Sequence, residues 1–236
     1  MHRKIMGKNT VQEVAKYQGK KIVSITTSSK ELLNDYSRMG FKVRLTDKNE
    51  LTKIAQSDSH QGIIAEIIDQ PPSFRDCLDH VKEQEKSVVV LLDSVQDPQN
   101  MGAIMRACEC FGVDWILHTK NRGTPVTAVV SKVSMGASEI VPRSEVSNGV
   151  DAIKKLQAEG FWVASLELTD KAESLYTFDF PNKVCLVFGS EGEGVKTLLS
   201  KTCDFHLIIP MMGKIDSLNV SQAAAVVLSN LRSKRS

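Results

Sequence analysis

The chain has 236 residues, of which 42% are hydrophobic and 25% are charged, and its formal net charge at pH 7 is only +2. This is an ordinary globular composition, and the length is too great for a disulfide-stapled miniprotein. The longest apolar runs, residues 88–92 and 223–228, are far shorter than the roughly 18 residues of a membrane span. The basic N-terminus has no apolar segment behind it, so we expect a cytoplasmic protein without a secretory signal.

The five cysteines show no metal-binding pattern. They include no Cys-x-x-Cys pair and no histidine pair at zinc-finger distance. We expect free, buried thiols and no metal site. The five are Cys77, Cys108, Cys110, Cys185 and Cys203.

Positive charge is concentrated in the first part of the chain. Residues 1–68 contain 12 Lys and Arg against 7 Asp and Glu, whereas the remainder carries a net charge of −3. This asymmetry suggests a small domain that binds a polyanion, joined to a domain that does the chemistry. A solvated lysine-rich surface would give the same pattern.

The first domain is predicted to alternate helices with strands. Hydrophobic periodicity and capping signals predict helices at 9–17 (with Asn9 as N-cap), 29–39 and 47–56, and strands at 21–26, 42–45 and 63–68. A turn at 60–62 precedes the last strand, and Pro71 and Pro72 end the domain. An amphipathic connecting helix is predicted at 74–85. The domain boundaries are therefore 1–68, a linker helix at 69–86, and 87–236.

The second domain is predicted to be an α/β fold. Strands are expected at 88–92, 114–118, 140–141, 161–166, 183–188 and 205–210, with helices between most of them. This pattern indicates a mostly parallel sheet covered by helices on both faces. Such sheets bind ligands at the carboxyl ends of their strands, so the segments after the strands are the candidate site.

Polar side chains follow the first of these strands. Asn100 is expected to cap a helix at 101–111, and Arg106 lies six positions further on. A functional pair and a capping Asn with an unrelated surface Arg both fit this segment.

A glycine-rich loop, Gly189-Ser190-Glu191-Gly192-Glu193-Gly194, lies between the strand at 183–188 and a helix expected at Val195. The spacing matches neither the dinucleotide fingerprint nor the P-loop. The two glutamates would also repel a phosphate at a helix N-terminus, which disfavours NAD and ATP. The loop suits a neutral or cationic ligand bound through backbone groups, although a plain tight turn remains an alternative.

Small and amide side chains follow the strand at 205–210. Ser217 or Asn219 can cap the next helix, predicted at 222–231, and the backbone nearby could read a purine edge.

Together these three segments resemble the three motifs of the SpoU/TrmH family of RNA ribose 2'-O-methyltransferases. The matching stretches are Asn100-x-Gly102-x-x-x-Arg106, the glycine-rich loop, and residues 209–221. Residues 1–68, with Gly7-Lys8-Asn9 near the start and His60-Gln61-Gly62-Ile63 near the end, resemble the substrate-binding domain of the family's ribosomal RNA guanosine members.

The resemblance implies a trefoil-knotted catalytic domain, S-adenosylmethionine as cofactor, and a homodimer with its sites near the interface. The polar catalytic set would be Asn100, Arg106, Glu191, Ser217 and Asn219. The cofactor-binding set would be Gly189, Glu191, Gly192, Ile209, Met211, Ser217, Leu218 and Asn219.

The activity implied is methyl transfer to a ribose 2'-hydroxyl of RNA, at a guanosine of large-subunit ribosomal RNA, with no metal and no membrane involved. The same reaction on transfer RNA is one alternative. An RNA-binding or ribosome-assembly protein without activity is another. Because a guanidinium normally stays protonated, we expect Arg106 to stabilise the developing alkoxide or hold a phosphate rather than to act as the base.

Overall fold

A computed structural model describes residues 1–235 of the chain. Ser236, the last residue of the second domain assigned above, lies outside the described residues. The described residues form two compact units. One comprises residues 1–70 and 126–140, and the other comprises 71–125 and 141–235. Residues 126–140 were assigned from the sequence to the second domain.

The first unit is built on a four-stranded mixed sheet. Its strands are β1 (His2–Met6), β2 (Ile22–Thr27), β3 (Val43–Leu45) and β4 (Ile63–Ile68), in the order β1-β4-β2-β3. The helices are α1 (Lys8–Gln18), α2 (Lys30–Arg38) and α3 (Lys48–Ala55), with α6 (Ala128–Val133) and α7 (Ala137–Ile140) from the later segment. A buried apolar cluster between α1 and the sheet forms its core.

The second unit contains a seven-stranded sheet in which every described pair is parallel. Its strands are β5 (Ser87–Leu92), β6 (Trp115–Thr119), β7 (Arg143–Val146), β8 (Trp162–Leu166), β9 (Glu173–Ser174), β10 (Lys183–Phe188) and β11 (Phe205–Ile208). The order is β7-β6-β5-β10-β8-β11-β9. The helices are α4 (Phe74–Lys82), α5 (Pro98–Cys110), α8 (Gly149–Ala158), α9 (Thr197–Ser200) and α10 (Val220–Arg235). The predicted α/β class with a parallel sheet is therefore confirmed.

Four local predictions were wrong. The N-cap of α1 is Gly7 rather than Asn9. The N-cap of α5 is Asp97, because Pro98 at the first helical position starts the helix three residues early. Residues 140–141 form no strand, and β7 follows them. No helix begins at Val195, since the first one after the glycine loop is α9.

None of the helices within residues 1–235 is long and apolar enough to cross a membrane. All five cysteines are free. Three are buried, Cys203 is partly buried, and Cys110 is exposed, which corrects the expectation for that residue.

A buried ionic network joins β1 to α6 and α7 within the first unit. Arg3 donates to Glu139 Oε1 at 2.6 Å, to Ser131 Oγ at 2.8 Å and to Asp69 Oδ2 at 2.8 Å. The side chain of Glu139 is only 2% exposed. Despite the opposing effect of burial, contacts with Glu139 and Asp69 raise the pKa of Arg3 above its ordinary value. The guanidinium therefore stays charged, and it anchors residues 126–140 to the N-terminal strand.

We expect Arg3→Met to lower the free energy of unfolding by about 3 kcal/mol, because it removes a guanidinium that pairs with a buried carboxylate. Urea denaturation followed by circular dichroism would measure this. The matched control is Arg44→Met, which breaks the exposed pair with Glu50 and should cost less than about 1 kcal/mol. Equal losses in the two variants would contradict this interpretation of the network.

Candidate functional site

A cavity of about 780 Å³ lies at the carboxyl ends of β8, β10 and β11. Its volume lies in the range of small-molecule sites, and its position is the one that parallel sheets use for ligands. The lining comes from the segment after β8, the glycine loop after β10, the segment after β11 and the start of α10. It comprises residues 166–168, 188–195, 207–209, 211, 216–220 and 223.

The glycine loop folds back on itself as a tight hairpin. The N–H groups of Ser190 and Gly194 each donate to the carbonyl of the other at 3.0 Å. Gly192 and Gly194 have φ angles of 84° and 67°, a region that favours glycine. A Cβ atom on Gly189 would lie well inside the contact distance of the Gly194 and Val195 backbone. The loop therefore needs glycine at these positions, and its backbone lines the cavity together with the side chains of Glu191 and Glu193.

One carboxylate oxygen joins the three motif segments. Asn100, in the first turn of α5, donates its Nδ2 to Glu191 Oε1 in the glycine loop. Asn219, just before α10, donates its Nδ2 to the same oxygen at 2.6 Å. Asn100 also donates to Asp97 at 3.3 Å, and Asn219 Oδ1 accepts from the N–H of Ser221 at 2.8 Å. Glu191 thereby holds two loops and a helix terminus together beside the cavity.

A second contact ties the end of the glycine loop to β5. Lys196 donates its Nζ to Asp93 Oδ1 at 3.1 Å and to Ser94 Oγ at 2.6 Å. Asp93 is buried directly after β5, and its N–H donates to Phe188 O at the end of β10. Ser94 has a φ of 61°, which is uncommon for a non-glycine residue. Lys196 therefore fixes the C-terminal end of the glycine loop to the segment after β5, and the bond from Asp93 N–H to Phe188 O fixes its N-terminal end.

The cavity lining carries negative charge. Four carboxylates contribute to it, those of Glu167, Glu191, Glu193 and Asp216, and no Lys or Arg of the described chain does. A cationic or neutral ligand is favoured there over a phosphate. No group of three or more potential ligand side chains within residues 1–235 is arranged to hold a metal ion.

The structure brings together most of the residues singled out from the sequence. All eight of the cofactor-binding candidates line the cavity: Gly189, Glu191, Gly192, Ile209, Met211, Ser217, Leu218 and Asn219. Asn100 is buried behind Glu191. Asn219 accepts the capping hydrogen bond of α10, whereas Ser217 is exposed and donates to Asp216. Arg106 is exposed on α5, outside the lining, and takes part in none of the described hydrogen bonds or ion pairs.

Sequence reasoning missed the segment after β8. Leu166, the last residue of β8, and the two residues after it, Glu167 and Leu168, line the cavity. Their position at the carboxyl end of a predicted strand was the available signal, but no glycine or amide pattern marks them. Glu193 and Asp216 also line the cavity beyond the candidate sets.

Two family models match the chain. The model described as the SpoU rRNA Methylase family matches residues 87–229. The model described as RNA 2'-O ribose methyltransferase substrate binding matches residues 4–72.

Individual proteins and solved structures are similar over most of the chain. A 23S rRNA (guanosine-2'-O-)-methyltransferase RlmB of Ralstonia nicotianae is 36% identical over 200 residues, 84% of this chain and 79% of that protein. A protein of the same name from Vibrio cholerae is 34% identical over 198 residues, 84% of this chain and 80% of that one. The structure of an AdoMet-bound rRNA methyltransferase from Sinorhizobium meliloti has the same fold, with a TM-score of 0.82, 24% identity, and coverage of 98% of this chain and 87% of that one.

We expect Gly189→Ala to lower the free energy of unfolding by about 2 kcal/mol or more, since the added methyl group must displace the hairpin backbone. Thermal denaturation would measure the loss. Gly213→Ala is the control, because an added Cβ there meets no atom closer than 4.0 Å and should change stability by less than about 0.5 kcal/mol. If Gly189→Ala proved as stable as the control, the close approach described here would be wrong.

Proposed function

The chain belongs to the SpoU rRNA methylase family, and from this premise we propose that it transfers a methyl group from S-adenosylmethionine to a guanosine ribose 2'-hydroxyl of large-subunit ribosomal RNA. The observation that carries the proposal is the junction at Glu191, where all three motif segments meet beside one cavity.

The cavity fits the cofactor. Its lining combines apolar side chains, glycine backbone and carboxylates without a cation, which suits an adenosyl group attached to a positive sulfonium. When bound, S-adenosylmethionine supplies the electrophilic methyl group. The glycine hairpin and the segment after β11 would hold the donor in place. This positioning would account for much of the reduction in the activation barrier. An AdoMet-bound structure of a protein with this fold supports the assignment.

Asn100, Glu191 and Asn219 act in this proposal as positioning residues. Their hydrogen bonds set the relative placement of the glycine loop, α5 and the start of α10. Ser217 lies in the same segment as Asn219 and lines the cavity, where its hydroxyl would contact the donor.

Arg106 is the proposed contact to the RNA. Its guanidinium is exposed and has no described partner within the chain, so it is available to a phosphate or to the developing alkoxide. A guanidinium is a hydrogen-bond donor and not an acceptor, so the proton of the 2'-hydroxyl would go to a phosphate, a water or a carboxylate.

Ribosomal RNA is favoured as substrate by the relatives. Those described above are named as 23S rRNA guanosine enzymes and match over 84% of the chain. The substrate-binding model at residues 4–72 falls on the basic part of the sequence. We propose that this part binds the phosphates of the RNA.

One basic edge of the first unit suits this role. The starts of α1 and α2 flank the turn before β4, because Lys8 N donates to Gln61 Oε1 and Ser28 N donates to Gly62 O. Lys8 and Lys30, the first residues of the two helices, are both exposed. Two lysines beside two helix N-termini form a surface that attracts phosphate.

We further propose that the C-terminal part is threaded as a trefoil knot and that the protein is a cytoplasmic homodimer. The position of β10 between β5 and β8 and the packing of α10 against α5 agree with the knot. Met212 and Ile215, which are 99% and 77% exposed beside the cavity, suit a contact with a second copy. Free cysteines agree with a reducing compartment.

The proposal is tested by mapping ribose methylation across total RNA from cells with and without this protein. One 2'-O-methylguanosine of large-subunit ribosomal RNA should disappear when the protein is absent and return on adding the purified protein with labelled donor. A site in transfer RNA would correct the substrate, and no lost site together with no label transfer would overturn the activity.

We expect Arg106→Lys to lower turnover about 100-fold, because a lysine keeps the charge but not the planar fork that can hold two oxygens. The affinity for S-adenosylhomocysteine, measured by calorimetry, should change less than threefold. Arg75→Lys, at another exposed arginine of the same unit, is the control and should transfer methyl groups normally. Turnover near the wild-type level in Arg106→Lys would show that forked recognition is not essential.

We expect the double substitution Lys8→Gln with Lys30→Gln to weaken binding of a ribosomal RNA fragment and to flatten its salt dependence. Each lost phosphate contact lowers the slope of log K against log salt by about 0.7 to 0.9, so the pair should lower it by roughly 1.5. The control pair is Lys154→Gln with Lys201→Gln, at exposed lysines of the second unit. If the control pair lowered the salt-dependence slope more than Lys8→Gln with Lys30→Gln did, the RNA would bind to the second unit instead.

A further inference from the structure

Glu167 is the first residue after β8, and it lines the cavity between the glycine loop and the segment after β11. Its backbone N–H donates to Leu207 O at 3.2 Å, which fixes it to β11. The side chain is only 15% exposed. It is therefore a largely buried carboxylate at the wall of a ligand cavity.

Two neighbouring side chains hold one of its oxygens. Ser165, which is fully buried, donates its hydroxyl to Glu167 Oε1, and His206 Nδ1 lies 2.9 Å from that oxygen. His206 Nδ1 also lies 2.9 Å from Ser165 Oγ, so the three side chains form one cluster of polar contacts around Glu167 Oε1. None of the hydrogen bonds described for residues 1–235 reaches the second oxygen, Oε2. Burial raises the pKa of the nearby Cys203 to about 12, so that thiol adds no charge.

This arrangement distinguishes Glu167 from two other carboxylates of the lining. Glu193 and Asp216 are exposed. Their charge is available to a cation that approaches the mouth of the cavity. One oxygen of the Glu167 carboxylate is instead held by two polar contacts, which fix the position of the side chain. A rigid acceptor of this kind suits a neutral partner with hydroxyl donors more than a flexible ammonium group.

We propose that Glu167 binds the vicinal ribose hydroxyls of the adenosyl ligand through its free oxygen, and that Ser165 and His206 are the positioning residues that aim it. The inference rests on the function proposed above, because it takes an adenosyl compound as the ligand. A carboxylate at the carboxyl end of a parallel strand is a general solution for binding ribose hydroxyls in α/β folds. Here it would select a ribonucleoside over its deoxy counterpart.

The test measures binding rather than activity. Calorimetry would compare three probes: S-adenosylhomocysteine, 5'-methylthioadenosine, which lacks the amino acid, and 2',3'-dideoxy-5'-methylthioadenosine, which lacks both hydroxyls. Glu167→Gln should weaken the first two by a similar factor of about 10 to 100, the range for a hydrogen bond to a charged group. For the dideoxy compound, the variant and the wild type should bind equally.

The control is Glu173→Gln, at an exposed glutamate of β9 on the same sheet, which should leave all three affinities unchanged. Ser165→Ala should reproduce part of the loss with the hydroxyl-bearing probes, and it serves as the second variant if Glu167→Gln does not fold, as judged by thermal denaturation. The wild-type protein alone gives a further measurement, because it should bind 5'-methylthioadenosine more tightly than the dideoxy compound.

Three results would overturn the inference. If Glu167→Gln weakened the binding of S-adenosylhomocysteine but not that of 5'-methylthioadenosine, Glu167 would contact the ammonium group instead. If Glu167→Gln weakened binding of the dideoxy probe as much as that of the other two, the substitution would have disturbed the whole cavity. If it changed none of the three affinities, Glu167 would not contact the ligand. If the wild-type protein bound none of the probes, the cofactor assignment of the proposed function would fail instead.

Discussion

The carboxylate of Glu191 is the interaction on which the rest of the site depends. Its Oε1 accepts amide hydrogens from Asn100, 91 positions earlier in the chain, and from Asn219, 28 positions later. A hydrogen bond to an ionised group is roughly twice as strong as a neutral one, so two of them on one oxygen can hold three otherwise separate segments. Of the hydrogen bonds described for residues 1–235, only this junction joins the glycine hairpin to the segment before α10.

The parallel sheet explains why the segments can meet. Because β8, β10 and β11 run in the same direction, the chain leaves each of them at the same edge, and the cavity lies there. Lys196 and the Glu167 side chain attach the cavity wall to neighbouring strands. The negative lining favours a cationic ligand. In the function proposed above, Arg106 and the basic residues of the first unit would supply the positive charge that binds RNA. The division of charge matches the two ligands that a methyltransferase of this family needs.

Local patterns predicted the elements that depend on short-range chemistry. The strands β4 and β10 occur at the predicted residues, since continuous apolar runs bounded by turns leave little choice. The charged strand β1 was missed, because it is stabilised by pairing with residues more than 55 positions away. Asn100 was predicted to cap a helix, but its partner is in a distant loop, and Glu167 needs His206 from another strand. Contacts between distant segments define the site, and single-sequence periodicity does not encode them.

The most direct test of the central claim is a double-mutant cycle on S-adenosylhomocysteine binding, made with Glu191→Ala, Asn100→Ala and the combined variant. If Glu191 joins the segments, Asn100→Ala should weaken binding in the wild-type background but add little once Glu191 is gone. We predict a coupling energy of about 1 kcal/mol or more, within the range for residues in one hydrogen-bond network. Full additivity, with each substitution acting as if the other were absent, would contradict the account.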